Sequence, residues 1–378
     1  MKMPKVKTSL MIAFTIVGAS QVAAKVKTIS PTPVMCAGAL FDGKAKYNEE
    51  ISGVKCFAQG KGQSSCFIVA DEKKGLQQIS ITQTAGGKLS CTPGPVLAKK
   101  RGLWCLPGKK PERDFESIAS DGRSLFIAGS WGNRRKKSVM PSPERWALIA
   151  QPLDGAANIQ GECRRVQRKN IMSLLKNAKG GFEYFADTPL QCGGLNVEGM
   201  AYQNGKLFFG LRSPSVYDNA GAWVITAKAN ELFAGNLPAT NAKREYLTFR
   251  INKKPIKGIG IRALEPLGRH RMLVVTGPAG VSSEKINDEG RYLIETKCRV
   301  KPFYQNAKID MPFALWIWTP KTGRLEHLGN VAGPYAGQKF EGLSVLSFHD
   351  DMLSLLLTFD GINNDEGSPI AHVKLRLQ

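Results

Sequence analysis

Asn196-Val197-Glu198-Gly199-Met200-Ala201, with Gln203-Asn204-Gly205 and then Leu207-Phe208-Phe209-Gly210 after it, is the stretch that decides the fold. Its first part has near copies at Asp114-Phe115-Glu116-Ser117-Ile118-Ala119, Gly260-Ile261-Arg262-Ala263-Leu264 and Lys339-Phe340-Glu341-Gly342-Leu343-Ser344. A weaker copy is Ile51-Ser52-Gly53-Val54. One polar slot therefore recurs at Ser52, Glu116, Glu198, Arg262 and Glu341, with spacings of 64, 82, 64 and 79 residues. Self-similarity along a chain is the signature of repeated structural units.

The residues after the slot recur as well. A turn comes next: Ser120-Asp121-Gly122, Gln203-Asn204-Gly205, Gly268-Arg269-His270 or His349-Asp350-Asp351. An apolar run comes after it, such as Leu125-Phe126-Ile127-Ala128 or Met272-Leu273-Val274-Val275, and Cys66 to Ala70 in the first unit. A second apolar run succeeds a loop of variable length, at Gln78–Thr82, Trp146–Ala150, Ala222–Ala227, Phe313–Trp318 and Ile370–Leu375. Asp-Gly and Asn-Gly between apolar runs are hairpin signals. The first apolar run lacks alternation, as an inner strand buried on both faces should. Each unit is thus a small antiparallel sheet that cannot cover both faces alone. Stacking such sheets radially solves that problem, which gives an all-β β-propeller of five or six antiparallel blades. Lys228 to Ile251 is the stretch with room for a sixth. Helix is scarce, with Ile171–Ala178 its best candidate, inside a loop insertion, and Val281–Asp310 is a second insertion. Pro33–Phe41 reads as an early strand that closes the ring against a last strand at Val373–Arg376.

Two sets of polar residues hold equivalent places in the units. The first is the marker slot. The second lies just past the apolar run: Asp71 with Glu72, Ser130, Arg212, Gly277 and Asp360. Equivalent places in successive blades form a ring near the axis, and Asp114 stands beside it. Buried carboxylates need cations or hydrogen-bond donors. One solution is structural: the glutamates accept from backbone N–H groups of neighbouring blades, or pair with Arg212 and Arg262. Another is a divalent cation, Ca²⁺ or a similar ion, held by Asp71, Glu116, Glu198 and Glu341. In a third, the arginines hold an anionic group and the carboxylates act as ligands or general base. Asp360 to Glu366 is rich in oxygen ligands but lacks EF-hand spacing.

The whole chain has 378 residues, 53 Lys+Arg against 31 Asp+Glu, and a formal charge of +22. Hydrophobic residues make up 42%, too many for a disordered chain. Residues 1–24 read as a secretory signal: Lys2, Lys5 and Lys7, then an apolar run from Leu10 to Val17, then Val22-Ala23-Ala24. That run is too short to span a bilayer, so no transmembrane segment is expected after cleavage, and residues 25–50 form an extension before a single propeller domain at 51–378. Removing the signal leaves a charge of about +19, which suits an anionic small molecule or envelope component. Basic clusters lie at Arg134–Lys137 and from Arg164 to Lys169, without the interleaved aromatics of a nucleic-acid binder. All eight Cys lie beyond the signal and suggest up to four disulfides in a periplasmic or secreted protein, with Cys56–Cys66 and Cys91–Cys105 as local pairs. No Cys-x-x-Cys, H-E-x-x-H, G-x-S-x-G or Walker loop occurs, so zinc-ribbon, zincin, α/β-hydrolase and P-loop chemistries lack their residues.

The segments "SGV…FIVADE", "DFESIA…GSWG", "NVEGMA…GLRSP", "GIRALEPL…GPAG" and "FEGLS", in that order, resemble a bacterial family catalogued as a domain of unknown function. They are more distantly similar to esterase-like phytase propellers, which share D-x-E-G-I-A blade starts. Ser117 replaces the usual Gly, and Trp131 stands where a His or small polar residue is expected. The resemblance implies a β-propeller and leaves the reaction open. Two functions stay in play: binding of an anionic ligand at an axial mouth, or a metal-dependent phosphoesterase or lactonase using the channel carboxylates.

Overall fold

The computed structural model describes residues 28–41, 51–70, 75–97, 105, 114–132, 145–188, 193–214, 221–235, 241–279, 312–360 and 368–377. Two short strands come first, β1 (Thr28–Ile29) and β2 (Thr32–Pro33). Blade one is β3 (Ile51–Gly60), β4 (Gln63–Ala70), β5 (Leu76–Gln83) and β6 (Leu89–Val96). Blade two is β7 (Phe115–Ser120), β8 (Ser124–Gly129), β9 (Leu148–Pro152) and β10 (Arg164–Arg165), with helices α1 (Arg168–Asn177) and α2 (Phe182–Phe185) after it. Blade three is β11 (Asn196–Gln203), β12 (Lys206–Ser213), β13 (Gly221–Lys228), then helix α3 (Ala229–Ala234), then β14 (Lys243–Thr248). A hairpin of β15 (Arg250–Ile251) and β16 (Lys254–Pro255) leads to blade four: β17 (Ile259–Leu267), β18 (Arg271–Pro278), β19 (Ala314–Thr319) and β20 (Arg324–Val331). Blade five is β21 (Lys339–His349), β22 (Met352–Asp360) and β23 (Ile370–Arg376).

The first strands of the blades touch in a closed cycle, β3 to β7 to β11 to β17 to β21 and back to β3. That cycle is the axis of a five-bladed propeller. The stretch with room for a sixth blade instead supplies α3, the outer strand of blade three and the β15–β16 hairpin. The marker strand, and not the apolar run after it, is innermost. The apolar runs β4, β8, β12, β18 and β22 lie second, where both faces are covered by neighbouring blades. Turn chemistry agrees closely with the sequence: Asn204 and Gly205 both have positive φ (51° and 78°), as do Asp350 and Asp351 (48° and 60°). Two positive φ values give a hairpin twist that matches its strands.

Every marker residue sits on a β-bulge. In each blade the pairing with the second strand skips the marker residue: Ser52, Glu116, Glu198, Arg262 or Glu341. A bulge inserts one unpaired residue and re-aims its side chain. The next residue is small because innermost strands crowd at the axis. A Cβ at Gly199 would stand 2.9 Å from Ile261 of the next blade, and one at Gly342 would stand 2.8 Å from the Gly53 backbone.

The N-terminal segment straps three blades from outside. β1 runs parallel to β20 of blade four, and β2 runs antiparallel to β23 of blade five. The closing pair is Thr32–Pro33 on Ala371–His372, earlier than the Pro33–Phe41 pairing read from sequence. Cys36 then joins Cys91 on β6 of blade one. Cys56–Cys66 is a cross-strand bridge inside blade one, and Cys105 pairs with Cys163. The expected Cys91–Cys105 bridge is therefore replaced: the strap brings Cys36 onto Cys91, a partner that sequence proximity does not reveal. Cys192 and Cys298 lie outside the described residues, as do the signal segment and Arg134–Lys137.

The Cys36–Cys91 bridge closes a loop of 55 residues across the junction of the first and last blades. Replacing both with Ser is expected to lower stability by roughly 2–5 kcal/mol in urea unfolding. An unchanged midpoint would show that the strap does not hold the ring.

Candidate functional site

The bulges bring one layer of charge together at the axis. Glu198 Oε1 accepts from Arg212 Nη1 at 2.6 Å, and its Oε2 accepts from Arg262 Nη1 at 2.8 Å. Arg262 Nη1 also donates to Glu341 Oε1 at 3.0 Å. Arg262 thus joins blade four to blades three and five. Its Nη2 donates to the Pro278 carbonyl at 2.7 Å, and Arg212 Nε to the Ala279 carbonyl at 3.3 Å. Asn196 Nδ2 donates to Glu198 at 2.9 Å. The charged groups of Glu198, Arg262 and Glu341 are nearly inaccessible to solvent. The carboxylates accept from guanidinium groups, where backbone N–H donors of neighbouring blades were one expectation.

Two glycines make this layer possible. A Cβ at Gly260 would stand 2.5 Å from the Arg212 carbonyl, so only Gly lets β17 pass beside it. A Cβ at Gly277 would overlap the Phe313 ring, over whose face Arg262 lies at 5.5 Å. Gly277 belongs to the second recurring set, and its role is to admit that ring.

A second axial layer lies three residues further along each innermost strand. Lys55 Nζ donates to Glu265 at 2.7 and 2.9 Å, joining blades one and four. Ser344 Oγ of blade five donates to Glu265 at 3.2 Å and accepts from the Cys56 N–H at 2.9 Å. The equivalent positions of blades two and three are Ala119 and Ala201. Sequence reading missed this layer. The available signal was the common offset of three from Ser52, Arg262 and Glu341.

The other expected site residues are dispersed. Glu116 is half-buried at the level of the first layer. Asp114, with φ of 50°, accepts from Ser130 and pairs with Arg145 at 3.0 Å, a local pin at the top of blade two. Asp360 pairs with Lys339 within blade five. Asp71 and Glu72, and the loop after Asp360, lie outside the described residues. Among the described residues no three His, Cys, Asp or Glu side chains are arranged to hold a metal ion, because Arg212 and Arg262 supply the positive charge around Glu198. The space left at the axis, lined by Ser52, Glu116, Ser117, Glu198 and Glu341, is about 10 Å³. Among the described residues, that recess has room for about one water molecule.

Electrostatics separates the two buried glutamates. Burial disfavours charge on Glu198, but Arg212 and Arg262 outweigh it and hold its carboxyl below the usual range. Burial also opposes the charge on Arg212, and Glu198 with Glu341 more than offsets that, raising its pKa. Glu341 has only a share of Arg262. Burial dominates there, the charges of Glu198 and Asp360 add to it, and the carboxyl is pushed up to about 7.

Residues 153–287, which include all of blade three, match the family model described as "Protein of unknown function (DUF3616)". No curated protein matches the chain in sequence. Among solved structures, the alpha-L-arabinofuranosidase Arb93A of Fusarium graminearum is 9% identical, with a TM-score of 0.40, over 93% of this chain and 98% of its own. The exo-beta-1,3-galactanase of Phanerochaete chrysosporium is 8% identical, with a TM-score of 0.40, over 92% and 64%. The GH32 beta-fructofuranosidase of Bombyx mori is 11% identical, with a TM-score of 0.38, over 87% of this chain; the chain spans only 61% of that enzyme's length. At this level of likeness the neighbours bear on neither substrate nor reaction. None of these comparisons shows a likeness to esterase-like phytases.

The two glutamates predict opposite pH limbs. Glu341 is raised in the fold, so its contribution to stability is full below the ordinary carboxyl pKa and is lost as pH rises through about 7. Glu198 is lowered, so its contribution is present above the ordinary value and is lost on acidification. Glu341→Gln keeps the shape and stays neutral. Between about pH 5 and pH 8 the melting temperature of the unaltered protein should fall more steeply than that of Glu341→Gln. Parallel curves would contradict the assignment.

Proposed function

We propose that this protein is an exported, non-catalytic propeller that binds an anionic ligand, either a small molecule or a component of the cell envelope. The observation that carries this reading is that the axial charges are turned toward one another. Glu198 binds Arg212 and Arg262, Arg262 also binds Glu341, and the recess that the described residues leave beside them is the size of one water. An axial hydrolase needs those groups turned toward a substrate, and an anion at the axial mouth would have to displace a glutamate from its arginine. The cationic excess therefore acts elsewhere, on exposed side chains such as Arg164, Lys206, Lys243, Arg244 and Lys254. Export is supported by the N-terminal Lys-rich and apolar segment and by three disulfides among the described residues. Among those residues no helix is long and apolar enough to cross a membrane.

The test pairs binding with turnover. Thermal-shift screening should give a saturable response to phosphorylated, sulfated or carboxylated compounds and none to their neutral counterparts. Aryl phosphates, aryl esters and lactones should not be turned over with Ca²⁺ or Mg²⁺ present. Turnover that Glu198→Gln abolishes without changing the melting temperature would overturn the binding reading in favour of the hydrolase.

A further inference from the structure

At the hairpin-turn end of the sheets, opposite the charge layers, the seam between blades two and three opens into a cleft of about 480 Å³. This is within the range of roughly 300–1,000 Å³ typical of small-molecule sites. Its floor is aromatic. Phe126 of β8 stacks on Tyr202 of β11, with ring centroids 5.4 Å apart and planes 15° apart, and Phe233 of α3 stands 5.7 Å from Phe126. Tyr202 and Phe233 are half-buried, so their rings stay partly open to the cleft. Its rim is cationic. Arg164, Lys206 and Lys228 line it against a single acidic side chain, Asp121. Asp121 is already occupied, accepting from the backbone N–H groups of Arg123 and Ser124 in its own turn. Arg164 lies 5.5 Å over the Phe233 ring, and Lys228 is paired with Glu231 at 2.8 Å. Lys206 makes no ion pair or ring contact among the described residues, and its charge acts on Glu245.

The fold holds this cleft at a fixed place. Strand β13 runs directly into α3, and the Ala229 N–H donates to the Gly205 carbonyl at 3.0 Å, which docks the helix on the β11–β12 turn. Asn204 and Gln203 of the same turn donate to the carbonyls of Arg269, Gly268 and Arg271 in blade four. The walls are thus anchored to three blades. Aromatic faces with a cationic rim select a planar ring that carries a negative group: the ring stacks, and the cations hold the anion.

We propose that this cleft is a binding site for a small aromatic anion, a planar ring bearing a phosphate, sulfate or carboxylate. The proposal rests on the anion-binding reading above and assigns it a place. It needs no chemistry at the axis. Both the ring and the charge contribute, so neither alone should bind well.

The test uses three matched probes on the full chain: 1-naphthyl phosphate, 1-naphthol and inorganic phosphate, with binding read by fluorescence or calorimetry. Naphthyl phosphate should bind saturably, about tenfold or more tighter than either fragment. Lys206→Glu combined with Arg164→Glu should weaken it by about tenfold or more, as should Phe233→Leu, which removes the ring and keeps apolar packing, with melting temperatures near that of the unaltered protein. Failure of naphthyl phosphate to bind, or binding that these variants leave unchanged, would overturn the cleft assignment. If anions still stabilise the protein in the variants, the general reading survives and the cleft fails. If 1-naphthol binds as tightly as its phosphate, the anionic reading fails at this site. Hydrolysis of naphthyl phosphate would overturn the non-catalytic reading alone.

Discussion

One guanidinium group, that of Arg262, holds carboxylates from the blades on either side of its own. A propeller has no hydrophobic core at its axis, because innermost strands converge there with little room for large side chains. Something else must fix the angle between blades. Here it is a charge shared between β11, β17 and β21, backed by Lys55, Glu265 and Ser344 one layer below. Removing one partner from such a buried set costs about 3–5 kcal/mol, because the remaining charge stays desolvated. The bulges, the small residues after them and Gly260 all serve the same layer. Each lets a charged side chain reach the axis or lets a neighbouring strand come close enough to meet it.

On the binding reading proposed above, that arrangement moves the functional question away from the axis. The ring of carboxylates and arginines looks like chemistry when read along the chain, since catalytic and structural charge use the same residue types. Distances separate the two. Both oxygens of Glu198 are taken by guanidinium groups, and the one on Arg262 ties blade three to blade four. The cleft between blades two and three has the opposite character: its rings are half-buried, its cations outnumber its acids, and its volume suits a small molecule.

Much of this was legible in the sequence, and the misses have physical causes. Repeats carry a propeller plainly, because each blade needs the same turn and the same second strand. Glu198, Arg212, Arg262 and Glu341 were identifiable as a set because they recur at fixed offsets. The order of strands was misjudged because continuous apolar runs suggest the centre of a fold, whereas the centre of this one is charged. Lys55 and Glu265 were missed because Ala119 and Ala201 break the pattern in two blades. The Cys36–Cys91 bridge and the cleft depend on contacts between distant segments. Phe126, Tyr202, Arg164 and Phe233 share no motif, and only the stacking of two blades and a docked helix brings them together.

The central claim is that Arg262 and Glu198 act as one energetic unit that joins two blades. A double-mutant cycle with Arg262→Met and Glu198→Gln, read by urea unfolding at neutral pH, measures this directly. Each single change should cost about 3–5 kcal/mol, and the double should cost less than their sum by about 2 kcal/mol or more. Additivity to within about 0.5 kcal/mol would contradict the account, since the two residues would then stabilise the ring independently.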